Sequence, residues 1–387
     1  MSQPRLILHV GMPKTGSSSI QESLLFGLRD PRFRYLALGA VNASRPIQVL
    51  FADQPVAAHT HRAQGVSVQA MQNRKEFFAD CFERQIQKAK QEKATPILSA
   101  EDCWFLSSQE LARLRDKIHT LGFKPQVVAY LRSPLGWMTS MYQELLKSGH
   151  HQFADQLILG SDATPPVTAT VGCDYLHHIE KFESVFGNQN LLLRSFRRQD
   201  LVDGCVVSDF CKTIGIDFRK SRIQRINESL SLETSRFLFA VNRYVREQHA
   251  IPFRKVLLLL RRLKENPGKP LRLNPVILES YADNLALQLD QLRKHYQVNL
   301  EEDWRENGQS EVDSTRLTGE RDMLVFTEES LRWLAKSVSI APHEIIDSEI
   351  PAERVAWQVM HLKPRFQHRL QDYLQSKRRE RKLRMVR

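Results

Sequence analysis

The amino-acid sequence predicts an α/β fold: a parallel β-sheet flanked by helices, followed by a largely helical C-terminal region. Three observations carry this. Short β-rich runs alternate with helical patterns through the first part of the chain, strands become hard to find after about residue 229, and the first apolar run passes into a helix through a turn with two glycines. Alternation of this kind needs crossover connections, which place helices on both faces of a parallel sheet.

The elements follow in order. Residues 6–10 (LILHV) read as the first strand, and residues 17–28 as a helix opened by a hydroxyl cap. Residues 34–38 give a second strand. Over 74–93, Phe78, Phe82, Ile86 and Ala89 fall on one helical stripe. A strand over 96–100 precedes a helix over 107–121, where Ser107 and Glu110 form a capping-box pattern. A strand over 126–131 leads to a helix over 134–147 that starts on proline, and 190–195 is the fifth strand. Residues 39–65 and 160–166 read as long connections. Beyond 229, Leu278, Tyr281, Leu285, Leu289, Leu292 and Tyr296 predict a helix over 276–296. Residues 331–338 and the C-terminal stretch also read as helix, and 266–270 (NPGKP) as a loop. The chain thus divides into a nucleotide-binding core over 1–228 and a mainly helical extension with a basic tail over 229–387.

Composition narrows the function classes. With 42% hydrophobic and 26% charged residues in 387, the chain is not collagen-like, purely coiled-coil or wholly disordered. The apolar run 256–260 is bracketed by Arg254, Lys255, Arg261 and Arg262, and no integral membrane segment is expected. The apolar run at the N-terminus is too short for a signal-peptide core, and Gly11, Pro13 and Lys14 follow at once, so a cytoplasmic location is expected. On that reading the N-x-S matches at Asn42 and Asn227 carry no glycan. Five cysteines without a C-x-x-C spacing predict no disulfide framework and no zinc site. The histidine pairs 59/61, 150/151 and 177/178 lack partners at ligand spacing, so no metal is expected. The net charge is +12, and residues 377–387 hold seven basic residues against Glu380. That tail reads as a solvated end, and without a recognition signature nucleic acid is not an expected partner.

The strongest local signal is residues 9–21, HVGMPKTGSSSIQ. A turn that joins a strand to a helix through glycines aims successive backbone N–H groups at an anion, and the helix N-terminus adds partial positive charge. Ser17, Ser18 and Ser19 add hydroxyls and Lys14 a mobile cation. Gly11 and Gly16 have P-loop spacing, but Ser17 stands where the lysine of that motif belongs.

Pro13-Lys14-Thr15-Gly16-Ser17-Ser18 resembles the 5′-phosphosulfate loop of sulfotransferases that use 3′-phosphoadenosine 5′-phosphosulfate (PAPS). Arg132, at the end of a later strand, and Ser140, eight residues on, resemble that family's 3′-phosphate pair, and residues 191–196 (LLLRSF) resemble a further family strand. The resemblance covers roughly residues 5–215. It implies a P-loop-like core, PAPS as sulfuryl donor without a metal, and a donor site of Lys14, Thr15, Gly16, Ser17, Ser18, Ser19, Arg132 and Ser140. It implies a transfer to a hydroxyl or amine of a carbohydrate, lipid or small molecule. Lys14 would neutralise charge on the leaving oxygen. Glu101, just after the 96–100 strand, would be the base, with Asp102 and then His59 and His61 behind it. The C-terminal R-K-G-x-x-G-D-W pattern of the cytosolic members is absent, which suggests a bacterial-type branch. Arg219, Lys220, Arg222 and Arg225 are substitute cations or a solvated basic turn. Residues 39–70 and 150–172 are expected to wall the acceptor site. Two other readings stay open: a P-loop-type phosphotransferase with Asp102 as its acid, and a non-catalytic nucleotide-binding interaction protein.

Overall fold

Strand β1 (Arg5–His9) is fully buried from Leu6 to His9, and such a strand must be covered on both faces. The computed structural model shows how. It describes residues 3–54, 68–148, 172–226, 229–248, 263, 268–300, 316–317, 323, 325–338, 341 and 343. His59, His61, His150, His151, the runs 160–166 and 256–260, the Asn227 sequon and the helix and basic tail expected at the C-terminus lie outside the described residues.

Five strands form one parallel sheet in the order β2-β3-β1-β4-β5. After β1 come helix α1 (Ser17–Gly27), strand β2 (Phe33–Tyr35), helices α2 (Ser44–Phe51) and α3 (Val68–Gln91), and strand β3 (Thr95–Ser99). A 3₁₀ turn, Glu101–Phe105, leads to helix α4 (Ser108–Thr120), strand β4 (Lys124–Leu131), helices α5 (Pro134–Lys147) and α6 (Tyr175–Phe186), strand β5 (Leu191–Ser195) and helix α7 (Val206–Ile214). In register, Leu8 pairs with Leu98 of β3 and Val127 of β4. Side chains alternate across the sheet. Leu6 and Leu8 join Phe82, Trp104 and Trp137 on one face, while Ile7 joins Ile20, Leu24, Val207 and Phe210 on the other. The core is therefore an α/β sheet with helices on both faces, as the sequence predicts.

The capping box of α4 is present in full, with Ser107 Oγ accepting from the Glu110 amide and Glu110 accepting from the Ser107 amide. Beyond residue 228 come helix α8 (Leu232–Gln248), strand β6 (Arg272–Leu273), helix α9 (Ala282–Tyr296), strand β7 (Arg316–Leu317) and helix α10 (Glu328–Val338). The larger apolar cluster takes Leu232, Leu238, Phe239, Leu285 and Leu292 together with Trp137 and Tyr142.

Three local expectations are corrected. The 39–65 stretch is not simply a connection: α2 lies within it, started by Asn42 Oδ1, which accepts from the Ser44 amide at 2.8 Å. The 276–296 helix is split, with a 3₁₀ segment, Pro275–Tyr281, ahead of α9. Pro275 supplies no N–H and Asn274 Oδ1 takes the Val276 amide, so this entry is wound more tightly. The stripe expected over 74–93 starts six residues earlier, at Val68.

Candidate active site

The C-terminal ends of β1, β3 and β4 converge at one edge of the sheet, where parallel α/β sheets place their ligands. From β1 the chain enters the loop 10–16. Lys14 (φ 69°) and Gly16 (φ 79°) both take left-handed conformations, which costs a non-glycine residue on the order of 1–2 kcal/mol. Thr15 Oγ1 donates to the Met12 carbonyl at 2.7 Å and closes the loop. A Cβ on Gly11 would lie 2.8 Å from Ser17 Oγ and 3.2 Å from Thr15 Oγ1, so only glycine leaves this hollow open.

Helix α1 opens on Gly16 and not on the expected hydroxyl cap: it has no side-chain cap and no acidic residue in its first turn. Its first amides and its dipole are therefore available to an anion. Ser17 Oγ is buried beside the Glu101 carboxyl and favours its charged form. Ser18 is partly buried on the same turn. Ser19 is committed elsewhere: its Oγ accepts from the Ile226 amide at 3.2 Å and faces the Ile226 carbonyl at 3.4 Å.

This bond fixes the basic segment expected near the cofactor. Residues 222–226 run along α1, with the Gln224 amide on Ser23 Oγ and Arg222 Nη1 on the Gly27 carbonyl. Lys220 pairs with Asp203, and Arg219 and Arg225 are exposed.

Arg132 follows β4. Its Nη1 donates to the Lys14 carbonyl at 2.8 Å and its guanidinium lies 5.4 Å from the Phe196 ring centre. Phe196 also approaches the place of a Gly16 Cβ, at 3.2 Å, as does Val206 of α7 at 2.8 Å. One aromatic ring thus supports both the loop and Arg132. Tyr130 and Arg194 both donate to the buried Asp209, joining β4, β5 and α7. Ser140 is partly buried on α5, and Glu144 lies one turn beyond it on the same face.

Glu101 opens the turn after β3. Its Cβ lies 3.7 Å from where a Gly11 Cβ would be, and Asn42 Nδ2 donates to its Oε1 at 3.1 Å. Burial raises the Glu101 pKa above the ordinary carboxylate range. The Lys14 charge, Ser17 and Asn42 oppose that rise, and Glu144 adds to it. The sequence implied that Lys14 would keep this carboxyl ionised around neutrality; the structure adds a burial effect that outweighs it. Lys14 Nζ itself pairs with Glu144 Oε2 at 3.0 Å, the two side chains being 23% and 43% exposed.

Asp102 is bonded to α2: it accepts from Gln48 at 3.0 Å and its amide bonds Ser44 Oγ. Its pKa is raised to about 6 by burial and then by Glu101. From behind, Lys181 on α6 donates to the Trp104 carbonyl at 2.6 Å and pins the turn.

The structure therefore brings Lys14, Thr15, Gly16, Ser17, Arg132 and Glu101 together. Asn42, Glu144 and Phe196 are site residues that the sequence reading missed. The Asn-x-Ser-x-Pro run at 42–46 and the i, i+4 step from Ser140 to Glu144 were the available signals. Among the described residues, no group of three or more His, Cys, Asp or Glu side chains could hold a metal ion, and no helix is long and apolar enough to cross a membrane.

No family model matches the sequence, and no curated protein sequence matches it. Among solved structures, the fold is distantly similar to a sulfotransferase domain from the curacin biosynthetic pathway, at 13% identity and a TM-score of 0.33, over 59% of this chain and 80% of that one. At that distance the reading of the site rests on its own residues.

Proposed function

We propose that this protein is a sulfotransferase that moves a sulfuryl group from PAPS to a hydroxyl or amine. The observation that carries the reading is the meeting, at an uncapped helix N-terminus, of the Lys14 ammonium, the buried Ser17 hydroxyl and the Glu101 carboxyl. The hollow over Gly11 and the amides of the loop suit an anionic group. Lys14, Thr15, Gly16, Ser17 and Ser18 would hold its 5′ end, and Arg132 with Ser140 its 3′-phosphate. The bound donor supplies an electrophilic sulfur and a leaving phosphate.

The chain's own groups do the rest. Glu101, oriented by Asn42, takes the proton of the acceptor. Lys14 neutralises charge growing on the leaving oxygen, a role in which one donor group is worth about 3–4 kcal/mol. Asp102, held against α2 by Gln48 and Ser44, has no part in the transfer. That placement also weakens the phosphotransferase alternative, which needs an acid facing the phosphates.

The test is turnover with PAPS and with ATP, each with and without EDTA, for wild type and Lys14→Ala. PAPS turnover that survives EDTA and falls roughly a hundredfold in the variant is expected. Turnover with ATP, or its loss on chelation, would transfer the assignment to a kinase.

A further inference from the structure

Two helices hold the turn Glu101–Phe105. From α2, Asn42 donates to Glu101 and Gln48 to Asp102. Helix α6 holds the turn at Trp104, which is fully buried. His178, Lys181 and Phe182 have the i, i+3, i+4 spacing of one helix face, and all three meet Trp104. The His178 ring stacks on the indole at 4.6 Å, the Phe182 ring lies 5.9 Å from it, and Lys181 Nζ donates to the Trp104 carbonyl at 2.6 Å. Lys181 is itself buried, and its ammonium is bonded to that carbonyl and lies 3.2 Å from His178 Nδ1. Neither partner is a carboxylate, so the lost hydration is only partly returned. Burial accordingly lowers the Lys181 pKa from 10.5 to about 8, with Cys103 of the turn and Glu110 of α4 acting the other way. A methionine would fill the same space without this cost, so packing does not account for the charge.

We propose that Lys181 is a positioning residue for the transfer: by fixing the Trp104 carbonyl it sets where the turn holds the Glu101 carboxyl. This rests on the sulfotransfer reading, in which Glu101 is the base, and goes beyond it by placing part of the base's alignment on α6, outside the nucleotide loop. Trp104 lies three residues from Glu101 in a tightly wound 3₁₀ turn, so the backbone carries a shift at its carbonyl to Glu101. A base must stand within hydrogen-bond reach of the proton it takes, and a misplacement of about 1 Å costs on the order of a hundredfold in rate.

The direction of one observable separates position from charge. Burial raises the Glu101 pKa, Lys14, Ser17 and Asn42 lower it, and Glu144 raises it. A turn released from α6 admits water to the carboxyl, so its pKa falls toward the ordinary carboxylate value. Loss of the Lys181 charge acting through space would instead raise it. The same helix supplies a control. Tyr175, three residues before His178, donates to the Arg132 carbonyl at 2.7 Å and so holds the end of β4 instead of the Glu101 turn.

The experiment titrates the Glu101 carboxyl by NMR in protein made with carboxyl-labelled glutamate, its signal assigned by its loss in Glu101→Gln. Turnover with PAPS and affinity for 3′-phosphoadenosine 5′-phosphate are measured alongside. Lys181→Met should lower the Glu101 pKa by about 0.5 or more and kcat about tenfold or more, with KM for PAPS and nucleotide affinity within about twofold of wild type. Lys181→Gln, one atom shorter but still a donor, should give a smaller change in the same direction, and it carries the test if the methionine variant does not fold. Tyr175→Phe should leave the Glu101 pKa in place. A Glu101 pKa that stays or rises in the folded Lys181 variants, an unchanged kcat, nucleotide affinity that falls in step with kcat, or an equal pKa shift in Tyr175→Phe would overturn the inference. Wild type that turns over no PAPS would overturn the sulfotransfer reading, and the catalytic role of Lys181 with it. Intact wild-type turnover with an unmoved Glu101 pKa in the Lys181 variants would remove the inference alone.

Discussion

Glu101 shows how one residue's environment sets a testable chemistry. Its carboxyl must be ionised to accept a proton, so activity falls as pH drops through its pKa. Burial places that pKa above the ordinary carboxylate range, and Lys14 holds it back from rising further. The acid limb of kcat/KM for wild type should therefore lie above that of a free glutamate. Lys14→Met removes the field that lowers the pKa, so its residual activity should show the same limb displaced to higher pH. Glu101→Gln should keep nucleotide binding, turn over about a hundredfold or more slowly, and lack the limb. A limb at the same pH in wild type and Lys14→Met would mean that Glu101 is not the group being titrated.

At the scale of elements, the loop and α1 depend on what α7 and the end of β5 press against them. Gly16 and Gly215 both have φ near +80°, at 79° and 87°. A Cβ on Gly215, just after α7, would meet nothing within 4 Å, whereas one on Gly16 would strike Val206 and crowd Phe196. Gly215→Ala should cost only the left-handed backbone penalty, about 1–2 kcal/mol, and leave nucleotide affinity unchanged. Gly16→Ala should cost more and weaken the nucleotide about tenfold or more, because it moves the cradle and the ring under Arg132. Chemical denaturation and nucleotide titration of the two variants check this; equal nucleotide affinity in both would detach the loop from its packing. The same elements show what a sequence makes legible. All five strands are readable because their apolar runs are short and bounded; the first four are largely buried and β5 is partly buried. Helix α2 is not, since it has eight residues with Pro46 among them, and its start depends on the Asn42 side chain. Arg132 and Glu101 are readable because each stands close to a strand end, and Lys14 because it lies in the glycine turn between β1 and α1. Asn42 and Glu144 are not, because their roles come from α2 and α5 being brought to the loop across the sheet, a consequence of tertiary packing.

At the scale of the whole molecule, the sheet is stabilised at the cost of burying a titratable ring. His9 ends β1, fully enclosed between the Phe210 and Tyr130 rings, with Nδ1 2.8 Å from Ser99 Oγ and Gln21 reaching the same hydroxyl at 3.1 Å. Its Nε2 is buried without a partner, so the ring has nothing to share a second proton with. Burial lowers its pKa from 6.5 to about 3. Between those values the unfolded chain binds a proton that the folded chain does not. The stability His9 permits is therefore fully present above pH 6.5 and is lost as pH falls toward 3, at up to about 1.4 kcal/mol per pH unit. Asp102 works against it: its folded pKa, raised to about 6 from 3.8, makes the folded chain the better proton binder between those values. The two effects offset one another through much of pH 4–6, leaving the loss from His9 uncompensated at the two edges of that window, near pH 6–6.5 and, more strongly, below about pH 4. Asp102→Asn removes the Asp102 share of the offset, leaving that of the raised Glu101, and keeps an acceptor for Gln48. Its urea midpoint should exceed that of wild type at pH 7.5, where wild type must bury the charge, and should fall more steeply between pH 6 and 4. His9→Asn in the same background keeps a polar partner for Ser99 without a titrating ring, and should flatten that fall. If the double variant loses stability with acid as steeply as Asp102→Asn alone, the proton-refusing group at the centre of the sheet is not His9.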